Sequence, residues 1–184
     1  MTYAQNLLDK LKAALDLPWP ENVSGQERVF MVVYPPGEER RIRPFLDNGE
    51  FAQEVRALGH GWSSIDLATA FSEWLATYEN AERALLRPER LWDEKGDVKG
   101  LEEFLVARIR QASVNDDANT VFALIGCGGL FGLFSVSRLI QLVADKVPGR
   151  LVAFFPGEYD ATHNSYRLLG AKDGWGYLAT SITV

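Results

Sequence analysis

The sequence predicts one α/β domain, a three-layer sandwich with a mostly parallel central sheet. Three observations predict it. Short runs rich in β-branched and aromatic residues (RVFMVVY at 28–34, TVFALI at 120–125, LVAFF at 151–155) are continuously apolar after their opening Arg28 or Thr120, as strands buried on both faces are. Segments with apolar residues at three- and four-residue spacing stand between them. The 184 residues suffice for one sizeable core and are short for two, so residues 1–184 read as a single domain. Helices alternating with buried strands imply right-handed crossovers and helices on both sheet faces. The strand–glycine–helix order at 120–147 makes the fold Rossmann-like or P-loop-like, without an intact phosphate-binding motif.

Element by element, Ala4, Leu7, Leu8, Leu11, Ala14 and Leu15 form the buried stripe of a first helix, which Pro18 and Pro20 end. Trp19, between those prolines, anchors the loop in the core. Arg28 to Tyr34 is the first strand, closed by Pro35, Pro36 and Gly37. An irregular helix follows, disturbed by Pro44 and the Asp47-Asn48-Gly49 turn, and Glu50 to Leu58 is helical. Trp62 to Leu67 is a shorter strand, followed by a helix carrying Ala70, Phe71, Trp74, Leu75 and Tyr78. Residues 79–97 read as a charged surface excursion with one helical piece at 81–86, and Val98 to Ser113 as a helix. A strongly apolar helix is expected from Leu130 to Val147, after the 120–125 strand. The last strand candidate is Tyr177 to Thr183, reached through a long Gly- and aromatic-rich segment.

Bulk chemistry narrows the function classes. The net charge is -6, from 25 acidic and 19 basic residues, whereas binding by phosphate neutralisation favours a basic excess, so no direct nucleic-acid binding is expected. Cys127 is the sole cysteine, which excludes an intrachain disulfide and a Cys-rich zinc site. The start is polar and then amphipathic, unlike a signal peptide, and no apolar run approaches the roughly 20 residues of a membrane span. No membrane association and a cytoplasmic location are the expectation.

Two clusters carry the remaining chemical signal. The first is Gly126-Cys127-Gly128-Gly129-Leu130-Phe131-Gly132, between a strand and a helix, where Gly126, Gly128, Gly129 and Gly132 form a candidate anion or ligand turn. The dinucleotide pattern would need glycine at Phe131, and a P-loop would need lysine where Leu133 stands. A tight strand-to-helix turn, where glycines permit positive φ and close packing, is the better reading of these glycines. Cys127 fits a small buried hydrophobe; as a nucleophile it would need a base, for which the sequence offers His163. The following helix is apolar nearly all round in its first turns, so it is either sandwiched in the core or covered by another chain, with Phe131, Phe134 and Arg138 as candidate contacts.

The second cluster runs from Phe154-Phe155-Pro156-Gly157-Glu158-Tyr159-Asp160 to Trp175 and starts at the carboxyl end of a strand. Tyr, Trp and Arg dominate interface anchors, so Glu158, Tyr159, Tyr166, Arg167 and Trp175 are candidate interface residues. Glu158, Asp160 and His163 could together make a metal site, but no recognised ligand spacing supports it, and a metal-dependent nuclease using Glu158, Asp160 and Asp173 is a third reading. No catalytic residues and no cofactor are assigned.

Together, the strings LPWPENVSGQERVFMVVYPPGEERRIR, GHGWSSIDL, GCGGLFGLFSVSRLIQLV, GRLVAFFPGEY and YRLLGAKDGWGYLA resemble the BrxB family, small components of BREX (bacteriophage exclusion) defence systems. The resemblance covers nearly the whole chain and is weakest at 79–97. It implies a bacterial cytoplasmic protein acting in phage restriction and host-DNA marking. Its natural partner would be PglZ, the alkaline-phosphatase-like component, with the methyltransferase and ATPase components as further partners. A homodimer is a further expectation. The family offers no catalytic residue to carry over, and it has aspartate where this chain has Gly170, which weakens any chemical role there. The sequence thus leads to a noncatalytic assembly or adaptor protein that binds PglZ. The alternative is a degenerate nucleotide- or nucleic-acid-binding domain using the Gly126–Gly132 turn.

Overall fold

A computed structural model describes residues 2–79, 81–94, 98–175 and 178–184, at Trp175 for the backbone alone. Five parallel strands form the central sheet in the order β2-β3-β4-β1-β7. They are β1 (Val29–Tyr34), β2 (Gly61–Asp66), β3 (Thr120–Ile125), β4 (Arg150–Asp160) and β7 (Thr180–Ile182). Two further strands, β5 (Ser165–Leu168) and β6 (Ala171–Trp175), continue from β4 as an antiparallel meander.

Every residue of β1 and β3 is buried, because both sheet faces are covered. On one face lie α1 (Tyr3–Leu15), α2 (Glu39–Asp47) and α3 (Glu50–Ala57), packed on Phe30, Val32, Tyr34, Val121, Val152 and Phe154. On the other, α4 (Ala70–Thr77), α6 (Leu101–Ala112) and α7 (Val136–Val143) cover Met31, Val33, Phe122, Leu124, Ala153 and Phe155. The predicted three-layer sandwich is therefore the observed architecture. A short α5 (Ala81–Leu86) lies in the 79–97 excursion.

Three elements differ from the sequence reading. No continuous helix runs from Leu130 to Val147. Cys127–Leu130 is a 3-10 turn, and α7 starts only at Val136, where Ser135 caps it by accepting the Arg138 N–H at 3.1 Å. The second correction concerns the start of α6. Gly100, in a left-handed conformation, sets the helix start at Leu101, while Val98 pairs with Trp92 in a β-bridge. Finally, the segment after Phe155 is strand: β4 continues through Pro156 and Gly157 into the β5–β6 meander. A side chain at Gly157 would collide with the Arg167 carbonyl, so that close crossing requires glycine. Tyr177, the predicted start of the last strand, lies outside the described residues.

Candidate functional site

Open parallel sheets place ligands at the carboxyl ends of their strands, where neighbouring strands lead off to opposite faces. In this chain β1 and β4 are those neighbours. From β1 the chain passes to α2 and α3 on one face, and from β4 to the β5–β6 meander, whose Tyr166 and Leu168 join the core of the other. A depression of about 250 Å³ opens there, and Glu39, Arg43, Gly128, Gly129, Pro156 and Leu169 line it.

Its polar groups are already engaged. Arg43 pairs with Asp66 and with Asp47 at 2.8 Å. Asp66 also accepts the Ala68 N–H at 2.9 Å. Burial alone would raise the Asp66 carboxyl, but the Arg43 hydrogen bond and the Ala68 N–H hold it below its ordinary range. Tyr34 donates to Glu39 at 2.6 Å, and burial first, then Glu39, pushes its phenol up, so it stays protonated.

Local packing accounts for two of the four turn glycines. Gly126 adopts φ +70°, and a Cβ there would lie 2.8 Å from the Ala68 nitrogen. A Cβ on Gly129 would lie 2.7 Å from the Ala68 Cα. The close approach of the segment after β2 thus explains Gly126 and Gly129 by packing. Gly128 faces Pro156, and Gly132 stands at φ +71° with open space around it.

The N-terminus of α7 is occupied as well. Asp173, from β6, accepts the N–H groups of Val136 at 2.9 Å and Ser137 at 2.7 Å, and its carbonyl accepts the Ser135 hydroxyl at 3.0 Å. A carboxylate of the chain itself sits where an external anion would bind. Cys127 is fully buried, and burial pushes its thiol up, the opposite of what a nucleophile needs.

The meander sorts the candidate interface residues. Glu158 and Arg167 are cross-strand neighbours, and both are exposed. Tyr166 is 0% exposed: its hydroxyl hydrogen-bonds Ser181 at 2.6 Å, and its ring packs on Tyr159 and Phe155. It is a core residue, contrary to its reading as an interface anchor, because strand alternation turns it inward. Tyr159 is half-buried against it and donates to Asn164 at 3.0 Å. Phe134 is also buried, under the Arg138 guanidinium at 5.3 Å, so it too is core. Arg138 is exposed and pairs with Glu102 at 2.6 Å. The Trp175 side chain lies outside the described residues.

The three acids of the nuclease reading are not gathered. Asp173 caps α7, and Asp160 pairs with His163 at 2.6 Å, a contact that lowers its pKa. Among the described residues no group of three or more His, Cys, Asp or Glu is placed to hold a metal ion.

Two apolar side chains stand out at this end of the sheet. Phe131 is 45% exposed and lines a depression of about 310 Å³ together with Leu133, Leu168 and Lys172. Leu169 is 40% exposed at the tip of the β5–β6 turn, with φ +49°. The sequence reading missed Leu169. The two-residue Leu169-Gly170 turn between β5 and β6 has positive φ at both positions, which Gly170 adopts freely and leucine does not. No helix of the described residues is long and apolar enough to cross a membrane. No family model, curated protein or solved structure matches the chain.

Proposed function

We propose that this protein is a noncatalytic binding component of a BREX phage-defence assembly. On this reading it resembles BrxB and docks the PglZ component with the carboxyl end of its sheet. One observation carries the reading: Phe131 and Leu169, both exposed, occupy adjacent turns bordering the depressions at that end. Exposed aromatic and aliphatic groups beside shallow depressions are what a partner's core anchors cover. The exposed Glu158 and Arg167 would form the polar rim. The glycine turn supports this reading over nucleotide binding: Gly126 and Gly129 pack against Ala68, Arg43 beside them is already paired with Asp66 and Asp47, and Asp173 holds the N-terminus of α7. Further BREX components and a second copy of the chain remain partners within the same proposal.

The test is light-scattering chromatography of the protein alone and mixed with PglZ from the same genome. The wild type is expected to give a stable complex at micromolar concentration. Phe131→Asp and Leu169→Asp are expected to abolish it, while Leu86→Asp, at an exposed leucine in α5, keeps it. A mixture that elutes as separate monomers at every concentration would overturn the proposal.

A further inference from the structure

At the opposite end of the sheet, the amino ends of β1 and β4 lie side by side, with Val29 in register with Leu151. Each carries an arginine: Arg28 just before β1 and Arg150 as the first residue of β4. Arg150 is 5% exposed, and its Nε has no hydrogen-bond partner. Among the described residues no carboxylate pairs with it. Its guanidinium lies over the Trp19 ring, 5.0 Å from the centroid.

The neighbouring charge has the same sign. Arg28 donates from Nη1 to the Pro148 and Gly149 carbonyls, the second at 3.3 Å, and its own Nε also lacks a partner. Burial, then Arg28, pushes the Arg150 pKa down. A buried cation with no counter-charge and a like charge beside it destabilises a fold. An anion bound there would reverse that effect.

The surroundings are built to hold one. Trp19 is fixed: its indole N–H donates to the Leu15 carbonyl at 2.9 Å, and its ring stacks on His60 at 4.0 Å. His60 is in turn hydrogen-bonded to Asn119 at 2.7 Å. Arg150 lines a depression of about 190 Å³ together with apolar Leu17, Pro18, Trp19, Val23 and Phe30. Glu27, the acid that also lines it, is exposed and accepts the Ser24 N–H at 2.8 Å.

We propose that this depression binds a carboxylate carried on a small apolar stem, with the oxyanion on Arg150 and the stem against Trp19 and Phe30. A phosphate fits less well, because its remaining oxygens would face apolar walls. Guanidinium recognises a carboxylate through paired, charge-assisted hydrogen bonds. Such a group could be a free organic acid or the terminal carboxylate of a polypeptide.

The experiment is an NMR titration of the full chain, following the Trp19 indole N–H resonance, identified by its loss in Trp19→Leu. Phenylacetate is the probe; phenylacetamide and inorganic phosphate are the comparisons. Phenylacetate is expected to give a saturable shift, with affinity falling about ten-fold or more for the amide and for Arg150→Met. Unliganded Arg150→Met is expected to melt at or above the wild-type temperature, because it loses an unpaired buried charge. Should that variant fail to fold, the amide comparison still reads the charge on the wild-type protein. A peptide ending in Phe, as acid against amide, assigns the source. Tighter binding than phenylacetate points to a polypeptide terminus, weaker binding to a free acid. The proposal is overturned by equal binding of acid and amide, by a response to phosphate alone, or by no shift. It is equally overturned if Arg150→Met and Glu27→Gln both lower the melting temperature, since Glu27 would then be the counter-charge.

Discussion

Asp173 accepts the backbone N–H of Ser137 at 2.7 Å, across 36 residues of sequence. The contact fastens the β5–β6 meander to the first turn of α7, and Gly174 packs beside it, where a Cβ would lie 2.7 Å from that of Ser137. The anion site of α7 is thus closed by the chain itself.

Removing the cap should cost stability in proportion. Asp173→Ala is expected to destabilise the fold by about 1–2 kcal/mol, as loss of an N-cap carboxylate does. Asp173→Asn keeps an acceptor oxygen and should lose less. Urea unfolding of the three proteins at neutral pH measures both differences.

Gly129 separates packing from ligand binding. Its Cβ position lies 2.7 Å from the Ala68 Cα and 2.8 Å from the Leu67 carbonyl, backbone atoms that cannot swing away. Gly129→Val should therefore destabilise by about 2 kcal/mol or more without any nucleotide present. Gly132, with open space at its Cβ but φ +71°, should lose only about 1 kcal/mol as Gly132→Ala. Thermal melts with and without ATP check this. Equal losses in both conditions are the expected result, and a loss confined to the nucleotide-bound form would restore the anion-turn reading.

How far the sequence showed these features follows from the range of each interaction. The strands β1, β3 and the start of β4 were legible because burial on both faces leaves an unbroken apolar run between turn residues. The helix after the glycine turn was overextended because Leu130, Phe131, Leu133 and Phe134 are apolar whether they coil or turn. The corrective signal was Ser135, an N-cap residue that opens α7 one position later. The meander was hidden by its alternation of charged and apolar residues around glycines, and Tyr166 looked like a surface anchor for the same reason. The Asp173 cap and the Arg28–Arg150 pairing depend on strand order, which no local pattern encodes.

The Arg43–Asp66 pair sets a pH dependence. Asp66 titrates below its ordinary range in the folded state because of Arg43 and the Ala68 N–H. A carboxyl with a depressed folded pKa contributes stability above its unfolded value, near pH 4, and loses it as pH falls through the folded one. Arg43→Met should therefore be less stable than wild type at pH 7. The difference should narrow as the pH falls below about 4. Urea midpoints of both proteins from pH 7 to pH 2.5 measure it, and a constant difference would assign Arg43 a packing role alone.

Leu169 tests whether the strained turn serves binding. A non-glycine residue at φ +49° is held at a cost of about 1 kcal/mol, which asparagine largely avoids. Leu169→Asn should raise the melting temperature, since the side chain is 40% exposed and gives up little burial. If the turn serves only to reverse the chain, that variant should still bind PglZ as the wild type does. If Leu169 is an anchor, the more stable protein should bind less well, a combination that unfolding cannot produce. Tyr166→Phe supplies the opposite pattern. It deletes the buried hydroxyl bonded to Ser181, should lose about 1 kcal/mol of stability, and should leave binding intact. Paired melting and binding measurements on these two variants distinguish a surface that recognises a partner from a core that supports it.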